Sequence, residues 1–201
     1  MKLEIDYDRI AEALTNEGVI VLPDFLPSEF TQQLLDHVSS LPDESFKAAG
    51  IGRNNDQQLN QQIRSDHTRW LSNDDAIEQA YLKMMDECRL KLNQRLFMGL
   101  FDYEAHFTHY AAGSYYHRHL DAFKGSSNRI LSTVFYLNTD WQQQDGGELL
   151  IYQSDSDETP IRVLPEFGTM AIFLSERFPH EVLPANRDRY SIAGWFRINQ
   201  Q

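Results

Sequence analysis

Beyond residue 100 the apolar residues stop recurring every three or four positions and fall instead into short runs separated by turn formers. The runs cover 103–110, 114–117, 129–138, 147–153, 161–164, 169–174, 180–183 and 189–198. Eight such segments at intervals of about 8–15 residues predict two packed antiparallel sheets, a double-stranded β-helix or jelly roll.

The first half reads as support for that core. Ile10, Ala11, Ala13 and Leu14 predict a short helix over 8–17, stopped by Gly18. A strand over 19–22 ends at Pro23, and a helix opens near Ser28, carrying Phe30, Leu34, Leu35, Val38 and Leu41 before Pro42. A longer helix over about 74–97 presents one stripe: Ile77, Ala80, Tyr81, Met84, Met85, Cys88, Leu92 and Leu96. Packing on a sheet accounts for that stripe, and Cys88 within it reads as a small buried hydrophobe. Residues 50–62 are polar, rich in Asn and Gln and without apolar period, which predicts a mobile loop or lid. With 201 residues and no repeat or linker, the expectation is a mostly β chain forming one domain over 1–201. Within it, 1–100 supply helical support and the lid loop, and 101–201 the jelly-roll core.

Charge narrows the function classes. With 18 Lys and Arg against 30 Asp and Glu, the net charge is −12, which opposes phosphate tracking on nucleic acid and attachment to anionic membranes. One cysteine can form neither an intrachain disulfide nor a multi-cysteine zinc site. The first residues lack an apolar signal core, and the longest apolar runs, 19–22 and 170–174, are far below the roughly 20 residues of a membrane span. A soluble, cytoplasmic protein is expected.

The chemistry concentrates in a few residues of the second half. His119-Leu120-Asp121 sets an imidazole and a carboxylate two positions apart, on one face of a strand. His180 opens a late strand 59 residues on, and in a jelly roll such distant strands lie side by side. Two histidines and one carboxylate on one side of a metal leave the other positions open, the arrangement of non-haem Fe(II) oxygenases. His117 shares a face with His119 and competes with it; His119 is preferred because it pairs with Asp121. His106 and His109 face opposite sides of one strand, and His37 and His67 read as surface or loop residues. Arg189 enters an otherwise apolar strand and needs an anion, either a bound carboxylate or a salt bridge to Asp188 or Glu181.

Longer stretches around these residues carry a family resemblance. Tyr110-Ala-Ala-Gly113-Ser-Tyr-Tyr-His-Arg-His119-Leu-Asp121, Phe135-Tyr136-Leu137-Asn138 with Asp140-Trp141, Gly146-Gly147-Glu148-Leu149, Pro179-His180-Glu181-Val182, and Arg189-Tyr190 with Ile192 and Trp195 resemble the core of the 2-oxoglutarate- and Fe(II)-dependent prolyl hydroxylases. The oxygen-sensing members and their bacterial relatives are the ones most resembled. Upstream, 18–26 and Ile63-Arg64-Ser65-Asp66 with Trp70 resemble the same proteins. The resemblance implies that His119, Asp121 and His180 hold Fe(II). It also implies that Arg189 and Tyr136 bind the distal carboxylate of 2-oxoglutarate, that Tyr110 lines the cosubstrate pocket, and that Trp195 forms its aromatic wall. Asp66 and Arg129 stand where family members pair a loop acid with a strand Arg, and 50–62 resembles their substrate-covering loop. Ala193 stands where animal oxygen sensors have Thr, and their cysteine-rich zinc finger is absent.

The activity so implied is hydroxylation of a prolyl residue, at the 4-position, in a protein or peptide. O2 is consumed, succinate and CO2 are released, and ascorbate supports the reaction; a translation elongation factor is the nearest analogous substrate. Two other readings stand beside it. One is a non-catalytic, cupin-like jelly roll that senses a metal or organic acid. The other is a nucleic-acid demethylase of the same superfamily, opposed by the charge and by Trp195 where a second Arg is expected.

Overall fold

The computed structural model describes residues 5–50, 63–122 and 128–199. Of the three α-helices among the described residues, two open on a side-chain cap. Helix α1 (Tyr7–Asn16) starts at Asp6, whose carboxylate accepts from the Arg9 N–H at 2.9 Å. Helix α2 spans Ser28–Ser40. Helix α3 (Ala76–Leu96) starts at Asp75, whose Oδ1 accepts from the N–H groups of Ile77 (2.8 Å) and Glu78 (3.1 Å), and stops at Phe97 in a left-handed conformation. Tyr81, Met85, Cys88 and Leu92 recur at four, three and four residues and are all fully buried. Each such side chain contributes roughly 1.5–3 kcal/mol of burial.

Eleven strands make two antiparallel sheets among the described residues. In chain order they are β1 (Val19–Leu22), β2 (Lys47–Ala48), β3 (His67–Trp70), β4 (Leu100–Tyr110), β5 (Tyr116–His119), β6 (Arg129–Tyr136), β7 (Leu149–Ile151), β8 (Ile161–Val163), β9 (Met170–Leu174), β10 (His180–Val182) and β11 (Arg189–Ile198). The large sheet runs β1-β9-β6-β11-β4-β3-β2 and the small one β5-β10-β7-β8. The eight expected segments are β4 to β11, so the double-stranded β-helix reading holds.

Strand alternation sorts the core into two layers. Met170 and Ile172 of β9, with Phe107, Phe135, Ile192 and Phe196, face the helices. Ala171 and Phe173 of the same strand, with Tyr136, Leu149, Ile151 and Phe178, lie between the sheets. The helices therefore seal one face of the large sheet and the small sheet covers the other, leaving a cleft between sheets where β5 and β10 pair. There His119 and His180 are direct cross-strand partners.

Two details differ from the sequence reading. Strands β2 and β3 were not expected, because Lys47-Ala48 and His67-Thr68-Arg69-Trp70 have no apolar alternation and are strands only through pairing with each other and with β4. His37 is not a surface residue: it lies on α2 against α3, with its Nε2 2.8 Å from the buried Glu78 carboxylate. Glu78 also binds Arg69 and the Ser72 N–H, so the chain spends one acid tying α2, α3 and β3 together. The expected lid, apart from Gly50, lies outside the described residues.

Candidate active site

β5 ends at His119, and the chain bends so that Asp121 returns to the same side. β10 brings His180 alongside. One ligand atom from each lies within 4.8 Å of the others. The His119 Nε2 is 3.7 Å from Asp121 Oδ1, and the His180 Nε2 is 3.6 Å from Asp121 Oδ2. The other ring nitrogens are already committed. His119 Nδ1 lies 2.8 Å from the His117 carbonyl and His180 Nδ1 3.0 Å from the Phe178 carbonyl. A carbonyl can only accept, so both Nδ1 atoms carry a proton and the Nε2 atoms are the ones that face the carboxylate.

Protonation states agree with that arrangement. Burial, with His119 alongside, pushes the His180 imidazole down to about 4. Burial by itself would raise the Asp121 carboxyl, but His180, His119 and the Ser132 hydroxyl outweigh it and hold the group well below its usual range. Neutral His180 and ionised Asp121 are the forms that a metal ion requires. His117 lies outside that cluster, and its carbonyl accepts from His119 Nδ1.

A cavity of about 820 Å³ opens over these residues. Arg189, 1% exposed, forms part of its wall, with its Nε donating to the Gly147 carbonyl at 3.0 Å. That carbonyl can approach because Gly147 has φ +72 and a Cβ there would meet Ala185 at 2.9 Å and Trp141 at 3.1 Å. No salt bridge neutralises the guanidinium among the described residues. Asp188 is taken by His109 and the Ala112 N–H, and Glu181 by Tyr152. Three buried side-chain polar atoms lack a partner among the described residues: Arg189 Nη2, Tyr136 OH and Trp195 Nε1. Two of them sit together, since the Arg189 Cζ is 5.0 Å from the Tyr136 ring and 5.0 Å from the Tyr110 ring. Burial, against the pull of Arg189, raises the Tyr136 phenol to about 12, so it remains a donor. A buried guanidinium with one unmatched nitrogen, beside a buried O–H with nothing to donate to, is the complement of a carboxylate.

The chain matches the model of the 2OG-Fe(II) oxygenase superfamily over residues 105–197. It is also similar to a prolyl-4-hydroxylase from Pseudomonas putida whose crystal structure is known, with 35% identity, 96% of this chain and 100% of the other covered, and a TM-score of 0.87. The chain belongs to the 2OG-Fe(II) oxygenase superfamily. A prolyl hydroxylase of Trichoplax adhaerens, solved with a peptide of hypoxia-inducible factor, superposes on this oxygenase with a TM-score of 0.81 and 25% identity, over 95% of this chain and 88% of the other. Egl nine homolog 1 of rat is 30% identical over 98% of this chain and 59% of its own length. The human protein of that name is 29% identical over 98% of this chain. The chain thus spans about half the length of these curated relatives, 47% of the human one. Oxygenases of this superfamily use Fe(II), 2-oxoglutarate and O2. The residues present fit those groups: a cluster of two imidazoles and a carboxylate, and a cationic cradle with unmet donors in the same cavity.

The remaining expected residues fall around the oxygenase cavity. Trp195 lies in its wall with the Arg129 guanidinium 3.6 Å above the ring, and Tyr110 and Ala193 also line it. Tyr136 is fully buried behind Arg189. Asp66 and Arg129 each hold a nearer partner: Arg64 donates to Asp66 at 2.8 and 2.6 Å, and Arg129 to Glu104 at 3.1 and 2.9 Å. Sequence reasoning missed several residues of the site. Tyr116 stacks on His119 with centroids 3.5 Å apart, and Arg64 caps the other arm of that stack at 4.1 Å. His106 lies edge-on to Trp70 and Trp195. Tyr116 stands three residues before His119, a spacing with no meaning until the strand register is known.

Proposed function

We propose that this oxygenase hydroxylates a prolyl residue, at the 4-position, in a protein or peptide. The observation that carries the reading is the cluster of His119, Asp121 and His180 in one cavity with Arg189, whose Nη2 is unmatched and whose guanidinium lies 5.0 Å from the ring of the equally unmatched Tyr136. His119, Asp121 and His180 would hold Fe(II) on one side and leave its other positions open. Arg189 would take the distal carboxylate of 2-oxoglutarate, with the Tyr136 hydroxyl on the same group, and Tyr110 and Trp195 would flank it. Fe(II) and 2-oxoglutarate held there would supply oxidative decarboxylation coupled to hydroxylation, one atom of O2 entering the C–H bond and the other the succinate, with CO2 released. The buried wall keeps the cosubstrate in one pose and excludes water.

The prolyl and 4-position assignments rest on similarity to proteins named prolyl hydroxylases; a cytoplasmic location, support by ascorbate, and a translation elongation factor as the first substrate to try are further parts of the proposal. The whole of 1–201 is read as one oxygenase domain. No helix among the described residues is long and apolar enough to cross a membrane. The demethylase reading is disfavoured by Trp195, which fills the pocket wall where a second Arg is expected. The test is incubation of the protein with a panel of proline-containing peptides, Fe(II), 2-oxoglutarate and O2. One added oxygen on proline together with stoichiometric succinate is expected. Succinate without proline oxidation would move the substrate class, and binding without any succinate would favour the non-catalytic jelly roll.

A further inference from the structure

We propose that Ser132 is a positioning residue that fixes the Asp121 carboxylate, and that Ser175 directs it; the inference rests on the metal site proposed above. Asp121 lies two residues beyond the end of β5, in a bend, so no ladder hydrogen bond of a strand orients it. Its brace comes from elsewhere in the fold. The Ser132 hydroxyl, on β6 of the opposite sheet, donates to Asp121 Oδ2 at 2.6 Å. Ser175, immediately after β9, places its own hydroxyl 2.9 Å from that of Ser132. Ser132 is 1% exposed and Ser175 0%, so the chain sits in the protein interior and not in the cavity.

The direction of this relay follows from proton counting. An ionised carboxylate only accepts, and a serine hydroxyl has one proton. Ser132 gives its proton to Asp121, so the contact between the two serines must carry the proton of Ser175. The order is Ser175 to Ser132 to Asp121, two donors aligned toward one negative charge, each polarising the next. The two histidines of the cluster are braced by backbone carbonyls, which no side-chain substitution removes. Asp121 is braced by a hydroxyl, which one substitution does remove. Groups that orient metal ligands from behind typically govern about 10- to 100-fold of metal affinity.

The test is titration of the metal-free full chain with Mn(II), without 2-oxoglutarate, counting free Mn(II) by electron paramagnetic resonance and recording the unfolding temperature of each metal-free variant. Ser132→Ala is expected to weaken Mn(II) binding about 10- to 100-fold, and Ser132→Thr, which keeps the hydroxyl, to restore most of that loss. Ser175→Ala should weaken binding in the same direction by a smaller factor, with metal-free stability little changed. Wild-type Mn(II) affinity in Ser132→Ala, or equal losses in the Thr and Ala variants, would overturn the proposal. So would a fall in unfolding temperature with affinity unchanged, which marks a structural role. If Ser132→Ala does not fold, Ser175→Ala decides alone: unchanged affinity refutes the relay. Failure of the wild type to bind Mn(II) is a separate outcome, which removes the metal site itself and the relay with it.

Discussion

Arg189 shows how a single residue can point to a missing ligand. Its charge is buried, its Nε is spent on a carbonyl, and its Nη2 and the neighbouring Tyr136 hydroxyl face no acceptor. Arg189→Ala is therefore expected to raise the KM for 2-oxoglutarate by one to two orders of magnitude, since a charge-assisted pair of bonds contributes roughly 1.5–3 kcal/mol. Steady-state kinetics at raised 2-oxoglutarate should recover part of the rate; no recovery at any concentration would contradict the role. His119→Ala and His180→Ala should abolish succinate formation while circular dichroism stays that of the wild type, because the cluster is an open site and not a staple of the core. His106 tests the electrostatics of the wall. Burial, with Arg64 nearby, lowers its imidazole to about 4 in the folded protein, against 6.5 for the free side chain. Between pH 6.5 and 4 the unfolded chain then binds a proton that the folded one does not, so stability must fall as pH is lowered through that window. Thermal unfolding of His106→Gln should show a shallower fall there than the wild type.

At the level of elements, the fold rests on stripes that the sequence displays openly and on pairings that it hides. Helix α3 was readable because Tyr81, Met85, Cys88 and Leu92 repeat at helical spacing. Met85→Ala is expected to cost about 2–5 kcal/mol by leaving a cavity between helix and sheet, measured by denaturant unfolding. The turn before β7 is a second sensitive element. Gly147→Ala puts a Cβ 3.4 Å from the Arg189 Cδ at φ +72. About 1–3 kcal/mol of strain should follow, with a raised KM for 2-oxoglutarate. Strands β4 to β11 were legible from apolar runs, and the cluster of His119, Asp121 and His180 from residue types and from the resemblance. Strands β2 and β3, the buried His37–Glu78 contact and the Tyr116 stack were not, because each depends on which segments the topology makes neighbours. Asp66 and Arg129 illustrate the same limit. Their types were right for an ion pair, but Arg64, two residues from Asp66, and Glu104, on the strand beside β11, are the partners that geometry supplies.

Among the described residues the molecule is layered: helices cover one face of the seven-stranded sheet and the four-stranded sheet packs over the other, with the cluster in the cleft between the sheets. The chain as a whole has a net charge of −12, while the cleft lining holds Arg64, Arg118, Arg129 and Arg189 together with Asp121 and Asp155. Arg64 and Arg129 are paired with Asp66 and Glu104, which leaves the buried Arg189 for a small dianionic cosubstrate; added salt should raise the KM for 2-oxoglutarate less than it would for an exposed site, because a buried pair is poorly screened. Fe(II) and 2-oxoglutarate are proposed to occupy one joined site. The most direct test is anaerobic addition of both to the metal-free protein, recording the visible metal-to-ligand charge-transfer band and repeating with Asp121→Ala. The account predicts a band in the wild type that saturates with 2-oxoglutarate and is absent from the variant; folded wild-type protein that gives no band would contradict it.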